Sequence, residues 1–365
     1  MRPFFFRFHS WLGLGSALVL TFVGLTGSLM VFKEAIDKAL HPAFYFVPAA
    51  EQKGEKLSLD LLVAKVAEAW PGWRVTVISL ESYREADRAL WVRLRSDAER
   101  SNAYVSVDPY TGRVGELRRN AWNDWVLRLH STLLLGNWGG AAACLFALGL
   151  IGLGVSGLIV LGGRLRGVPF LPRRERGARL SLSDLHKTVG FYALLFNLVL
   201  ALTGGWMNLF VFPRLFAPKK TPPPMTMTVA AAPVPISGAI AAARTALPDL
   251  EPEYLFLSPR PGGPVSVYGG VPHAWFSHPF CSGVTVDAKT LQPLKVRDFR
   301  TLKGGEKILS YVTPLHFGNF GGWPIKVVYV LGGLTPGVLS ASGCAIWWMR
   351  RKKAAAVSAA TAVTT

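Results

Sequence analysis

The sequence predicts a membrane protein of four transmembrane helices in two tandem, pseudo-symmetric repeats, with two small α+β modules outside the bilayer. Three observations carry this. Half of the 365 residues are apolar and only 17% are charged, more hydrophobic surface than one soluble core needs. Four windows, 11–32, 131–163, 188–213 and 327–349, contain no Asp, Glu, Lys or Arg. Finally, spacings recur between the halves. His9 and His186 each precede a Thr-Gly pair by seventeen residues, at Thr26 and Thr203. His130 and His316 each precede a Ser-Gly pair by twenty-six, at Ser156 and Ser342.

About 20 apolar residues cross the ~30 Å hydrocarbon layer, so each window is long enough to span it. Buried soluble helices rarely run that far without a charge. Residues 1–32 form the first span. Its apolar run exceeds the about 7–15 residues of a signal-peptide core, and Leu29-Met30-Val31-Phe32-Lys33-Glu34 offers no small-x-small cleavage site. It therefore reads as retained.

The first outer module occupies 33–121. Helical apolar spacing over 57–66 follows a candidate cap at Ser58 and stops at Pro71-Gly72. Three β-rich stretches follow at 73–80, 89–95 and 103–107, and Asp108-Pro109-Tyr110-Thr111-Gly112 has tight-turn chemistry. Residues 122–163 comprise an interfacial helix and the second span. Trp122, Trp125, Val126, Leu129 and Leu133 share one helical face, which suits the headgroup layer. Gly136-Asn137-Trp138-Gly139-Gly140 lets neighbouring backbones approach.

A basic loop at 164–185 leads into the third span, 186–213. The second outer module, 214–303, begins with a Pro-rich linker whose Met225 and Met227 read as linker rather than copper ligands. A helix-then-strands segment over 236–296 ends in Val286-Asp287-Ala288-Lys289-Thr290, echoing the Asp108 turn. Leu291 stands where the first copy has Gly112, so the second sheet is expected to be degenerate or incomplete. An interfacial segment and the fourth span fill 304–349, where Gly318-Asn319-Phe320-Gly321-Gly322 repeats the glycine pattern of span two. A tail at 350–365 completes the chain.

The net charge is +18, but its placement argues against nucleic acid. Arg164, Arg166, Arg173, Arg174, Arg176 and Arg179 crowd the short loop, Arg2 and Arg7 precede span one, and Arg350-Arg351-Lys352-Lys353 follow span four. Basic residues beside short loops mark the cytoplasmic side, which puts both termini inside and both modules outside. The three cysteines make no disulfide framework: Cys144 and Cys344 lie in spans and only Cys281 lies outside. No Cys-x-x-Cys-His occurs, so covalent haem attachment is not expected.

Four of the seven histidines fall at repeated positions. In this topology His9 and His186 lie at the cytoplasmic ends of spans one and three, and His130 and His316 at the outer ends of spans two and four. Each is expected at the N-terminal end of its helix, where the macrodipole favours a neutral imidazole. A lone interfacial histidine is usually a helix-end polar residue. Four of them, paired by leaflet, point instead to the axial ligands of two b-type haems, with Gly13, Gly15, Gly24, Gly190, Gly204, Gly205, Gly332 and Gly333 making room for porphyrin. No cysteine or carboxylate joins either pair as a zinc or non-haem iron site requires. His273 and His278 near Cys281 have no repeat counterpart, and His41 reads as a loop residue.

The four spans, the His-x16-Thr-Gly helices and the turn Val105-Ser106-Val107-Asp108-Pro109-Tyr110-Thr111-Gly112-Arg113-Val114 resemble the PepSY-associated transmembrane proteins. These are iron-regulated inner-membrane proteins that include ferric-siderophore reductases. The resemblance implies PepSY-like periplasmic modules, two haems b held by His9, His186, His130 and His316, and a bacterial inner-membrane location. It also implies electron transfer from a cytoplasmic or quinol donor to a periplasmic Fe(III)-siderophore, releasing Fe(II). No Gly-rich dinucleotide loop appears, so the donor is expected to be external. Trp122, Trp125, Trp138 and Trp323 serve as interfacial anchors or flank that site. Two other readings compete: a membrane-anchored PepSY binding or inhibitory module, and a ferric-complex transporter without redox activity.

Overall fold

The computed structural model describes residues 1–99, 101–119, 121–168, 170, 173, 177–216, 234–258, 260, 262–272, 276 and 278–363. Met225, Met227, His273, Arg174, Arg176 and most of the Pro-rich linker lie outside the described residues. In chain order the helices before the sheet are α1 (Arg2–Val31), α2 (Lys33–Leu40), α3 (Pro42–Tyr45) and α4 (Leu59–Ala69). Then come β1 (Trp73–Ser79), α5 (Leu80–Arg84), β2 (Leu90–Ser96) and β3 (Ser101–Val107). The middle of the chain is helical: α6 (Ala121–Thr132), α7 (Gly136–Leu161), α8 (Ala178–Tyr192), α9 (Leu194–Leu209), α10 (Phe212–Phe216) and α11 (Ile236–Ala246). Four strands follow, β4 (Glu251–Leu257), β5 (Val265–Gly270), β6 (Ser282–Val286) and β7 (Pro293–Arg297). The chain closes with α12 (Gly304–Ser310), α13 (Val312–Phe317) and α14 (Gly322–Val363). These elements form two compact units.

The first unit gathers residues 1–32, 122–218 and 315–365. Four of its segments are long and apolar enough to cross a membrane: Arg2–Val31, Gly136–Leu161, Leu194–Phe216 and Gly322–Lys352. The chain is a multi-pass membrane protein. Helix α1 packs on α7 and α14, α9 on α7, and α8 on α14. The backbones of α1 and α14 approach closely at Gly24 and Gly333, where a Cβ on Gly24 would collide with the Gly333 carbonyl. Ser28 Oγ donates to the Val330 carbonyl at 3.0 Å beside this crossing. Asn197 and Thr335, both within the apolar layer, satisfy each other at 3.0 Å and tie α9 to α14.

The second unit holds residues 33–121 and 219–314. Its strands form one open seven-stranded sheet in the order β3-β2-β1-β4-β5-β6-β7. The two outer segments meet where β1 pairs antiparallel with β4 through Val77–Phe256, Ile78–Leu255 and Ser79–Tyr254. Alternation dictates the faces. Leu90, Val92, Leu94, Val105, Val107, Leu255, Val265 and Val267 point to one buried side, beneath Leu62 and Val66 of α4 and Ala239 and Ala243 of α11. The second half of the sheet is complete, with four strands against three. Its turn keeps the geometry of the first. Asp108 Oδ1 accepts from the Tyr110 and Thr111 amides at 2.8 and 3.3 Å, and Asp287 Oδ1 from those of Lys289 and Thr290 at 2.9 and 2.8 Å. Gly112 has φ +72° and Leu291 φ +57°, so the leucine adopts the left-handed conformation that glycine takes freely. Leu291 compensates by packing against the core.

The sequence offers no N-cap for α11, which starts after Pro235. Asp60 supplies one from α4: its carboxylate accepts from the Ile236 amide at 2.6 Å and the Ser237 amide at 3.1 Å, and from the Ser237 hydroxyl. Elsewhere Asp37 of α2, fully buried, is gripped by both Arg118 guanidinium nitrogens at 2.9 and 2.7 Å and by the Tyr45 hydroxyl. His41 stands 3.9 Å from the same carboxylate. His278 is also buried. Its Nδ1 accepts from the Phe280 amide at 3.2 Å, while the Cys281 thiol is turned to the Gly269 carbonyl. Burial, with Arg297 nearby, pushes the His278 imidazole down to about 4.

Three outcomes are expected. Asp60→Ala lowers the opening free energy of α11 by about 1–2 kcal/mol, seen as faster amide exchange over 236–246, while the membrane helices are unaffected. Arg118→Ala takes the guanidinium away from a buried carboxylate and costs about 3–5 kcal/mol by the same measurement around α2. Because His278 is harder to protonate folded than unfolded, the sheet unit loses stability as pH falls from about 6.5 towards about 4. Comparing exchange at pH 7 and 5 in wild type and His278→Gln checks this, the variant showing the shallower loss.

Two facing histidine pairs in the membrane unit

The four repeated histidines come together in two pairs. The His9 and His186 ring centres lie 6.2 Å apart with planes at 84°. Those of His130 and His316 lie 6.1 Å apart at 53°. The two pairs are well separated, because His130 docks on α1 at Thr26, seventeen residues beyond His9. At 1.5 Å of rise per residue that is about 25 Å, close to the ~30 Å thickness of the hydrocarbon layer.

The helical context differs from the expectation that each histidine opens its helix. His9 lies inside α1 and His186 inside α8. His130 and His316 lie in the last turns of α6 and α13. The backbone breaks after them: Leu133 and Leu134 have φ of 49° and 63°, and Gly318 has 63°. New helices then begin at Gly136 and Gly322. The macrodipole therefore does not provide the shared reason for a neutral ring. The break also changes the register of the glycine motif. Gly136 and Gly322 both stand six residues after their histidine, so Gly136-Asn137-Trp138-Gly139-Gly140 and Gly318-Asn319-Phe320-Gly321-Gly322 are offset by four positions.

What the four rings share is a hydrogen-bonded Nδ1. His9 Nδ1 lies 3.0 Å from Ser156 Oγ and 3.1 Å from the Leu153 carbonyl. His186 Nδ1 lies 3.0 Å from Ser342 Oγ. His130 Nδ1 lies 3.2 Å from Thr26 Oγ1 and 2.9 Å from the Val23 carbonyl. His316 Nδ1 lies 3.0 Å from Thr203 Oγ1, with the Leu200 carbonyl beside it. The Thr-Gly and Ser-Gly pairs, visible in the sequence only as repeat markers, are thus the contacts of the histidines. Each histidine is seated on the neighbouring helix of its own half.

Further contacts hold these segments. Arg2 donates to the Val160 carbonyl through two nitrogens at 3.1 and 2.8 Å, pinning the start of α1 to the end of α7. Arg173 and Lys187 flank the Asp184 carboxylate of α8. Asn208 Nδ2 donates to the Ser131 carbonyl next to His130, and the Tyr329 hydroxyl to the Leu315 carbonyl next to His316. Of the glycines expected to make room, Gly13, Gly15 and Gly190 have no heavy atom closer than 3.5 Å to an added Cβ. Gly24, Gly333, Gly205 and Gly332 serve helix packing, and Gly204 lies under His316. Trp125, Trp138 and Trp323 are exposed on the helix surface, as interfacial anchors are.

The donor set can be tested against a shared metal. Two imidazoles on opposite sides of one ion, at metal–nitrogen bonds of about 2.0–2.1 Å, have ring centres about 6.2–6.4 Å apart. The His9/His186 pair, at 6.2 Å, has this spacing and the His130/His316 pair, at 6.1 Å, stands just under it; in all four rings Nε2 is clear of the Nδ1 hydrogen bonds. Among the described residues no group of three or more His, Cys, Asp or Glu side chains gathers. A porphyrin, which brings four in-plane nitrogens and asks the protein for two axial ones, fits this donor set.

No curated protein matches the chain. The family model described as the PepSY-associated TM region matches residues 6–350. With nearly its whole length covered, the chain belongs to the PepSY-associated transmembrane family.

Proposed function

We propose that this protein is a di-haem b-type cytochrome of the bacterial inner membrane that carries electrons outward to a periplasmic Fe(III)-siderophore. Both termini would be cytoplasmic, as the basic residues beside the short loop favour. The halves would be tandem copies, each contributing a PepSY-like periplasmic segment to the open sheet. The observation that carries this reading is the pair of facing imidazole sites, spaced 6.2 and 6.1 Å between ring centres.

His9 and His186 would hold one haem near the cytoplasmic border, and His130 and His316 a second near the periplasmic border. A bound haem supplies one-electron carrier chemistry, its iron cycling between ferric and ferrous states. The chain's own residues do the rest. The Nδ1 contacts orient each ring and leave Nε2 to bind, and the apolar helices keep water away. The electron comes from a cytoplasmic reductant or a quinol. One electron converts the chelated Fe(III) to Fe(II), which hard oxygen chelators hold less tightly, so the siderophore releases it.

The full-length protein purified from haem-replete cells should show reduced b-type bands from about two haems per chain. His130→Ala and His316→Ala should each remove one haem and leave the other. Adding a ferric hydroxamate chelate to the reduced protein should reoxidise it. A colourless protein, or alanine variants that keep both haems, would refute the assignment.

A further inference from the structure

We infer that Ser156, Ser342, Thr26 and Thr203 are positioning residues that fix the tautomer and plane of the four facing histidines, and thereby tune the iron each pair holds. The inference rests on the haem reading above.

The argument lies in where each hydroxyl proton goes. Ser156 Oγ donates to the Gly152 carbonyl at 2.6 Å and Ser342 Oγ to the Val338 carbonyl at 2.7 Å. Thr26 Oγ1 donates to the Phe22 carbonyl at 2.6 Å and Thr203 Oγ1 to the Val199 carbonyl at 2.7 Å. A hydroxyl has one proton, and here the carbonyl four residues back takes it. Towards the imidazole, each oxygen therefore offers only a lone pair. At His9 and His130 a backbone carbonyl, that of Leu153 at 3.1 Å and of Val23 at 2.9 Å, is likewise an acceptor. An acceptor at Nδ1 requires Nδ1 to carry the proton, and Nε2 is left with the free electron pair that a metal needs.

The residue after each hydroxyl completes the seat. Added Cβ atoms at Gly157 and Gly343 would come within 3.3 and 3.4 Å of the His9 and His186 Cε1 atoms. At Gly27 and Gly204 they would come within 2.9 and 2.8 Å of those of His130 and His316. Glycine is thus required at the threonine-backed pair and gives closer seating there than at the serine-backed pair. The hydroxyl, with the carbonyl where one is in reach, favours the tautomer, and the glycine after it sets the ring plane. Hydrogen bonding at Nδ1 makes Nε2 more basic and favours the ferric state.

The test uses full-length protein, with haem retention and a potentiometric titration of the haem bands as readouts. Thr26→Val keeps the side-chain shape and removes the acceptor. It should weaken haem retention at the His130/His316 pair by about 10–100-fold and move that haem to a more positive potential. Thr26→Ser should restore both, which a purely structural role would not require. Ser156→Ala should act in the same way on the His9/His186 haem alone, so the inference does not hang on one variant folding. If wild type carries two haems and both variants keep its affinity and potentials, the positioning role is overturned while the haem reading stands. A wild type without haem overturns both.

Discussion

An imidazole inside a bilayer has two nitrogens to satisfy and little water to satisfy them with. In this protein one nitrogen of each is paid for by the neighbouring helix, through a hydroxyl whose own proton is committed elsewhere. The rest of the membrane unit is consistent with that constraint. The helix partners are those that bring a histidine within 3.0–3.2 Å of its hydroxyl. Small residues occupy the places where backbones must close up to do so. The contact also crosses within each half: α1 lends Thr26 to His130 and receives Ser156 for His9. A shift of α1 would therefore disturb both rings.

The second nitrogen is the reason the arrangement reads as functional. An imidazole among apolar helices whose ring centre lies about 6 Å from that of another neutral imidazole gains little from that neighbour. A structural histidine would be expected to use both nitrogens for helix contacts. Two rings this close, each held at Nδ1 by a neighbouring helix, suit a ligand that binds the remaining nitrogens. Isolated polar groups in membranes are costly and tend to mark function. Here the same Nδ1 contact is made four times.

Much of the architecture was legible in the sequence because it follows from one-dimensional patterns. The charge-free windows became the spans. The Ser58 cap holds, its Oγ accepting from the Leu61 amide, and the three strands of the first outer segment lie within a residue or two of their expected bounds. What escaped was decided by long-range partners. Asp60 caps a helix that begins at residue 236, a relation no local window contains. The β1–β4 pairing that makes one sheet of two segments is equally remote. Leu291 hides a left-handed turn because glycine is the usual signal for that backbone and the leucine pays for it by packing. That His130 closes the amphipathic helix begun near Trp122 is legible from its apolar face, but the expectation that His130 and His316 open spans two and four fails because breaks at Leu133, Leu134 and Gly318 separate them from the helices that follow. The glycine motif misled in the same way: identical letters serve different turns, while the histidine-to-serine spacing preserved the contact.

That last contrast separates two kinds of repeated signal. A run such as Gly-Asn-aromatic-Gly-Gly reflects local backbone demand, and four residues of slippage leave it useful to either turn. A spacing of seventeen or twenty-six residues is a ruler. It fixes how far along a span the acceptor for one ring lies from the next histidine, and hence how far apart the two pairs stand. With 1.5 Å per residue, changing that interval by even one position would turn the hydroxyl about 100° around the helix and away from its ring. The spacing is therefore the feature on which the site's geometry depends most directly. It also ties the distance between the pairs to the thickness of the membrane that contains them.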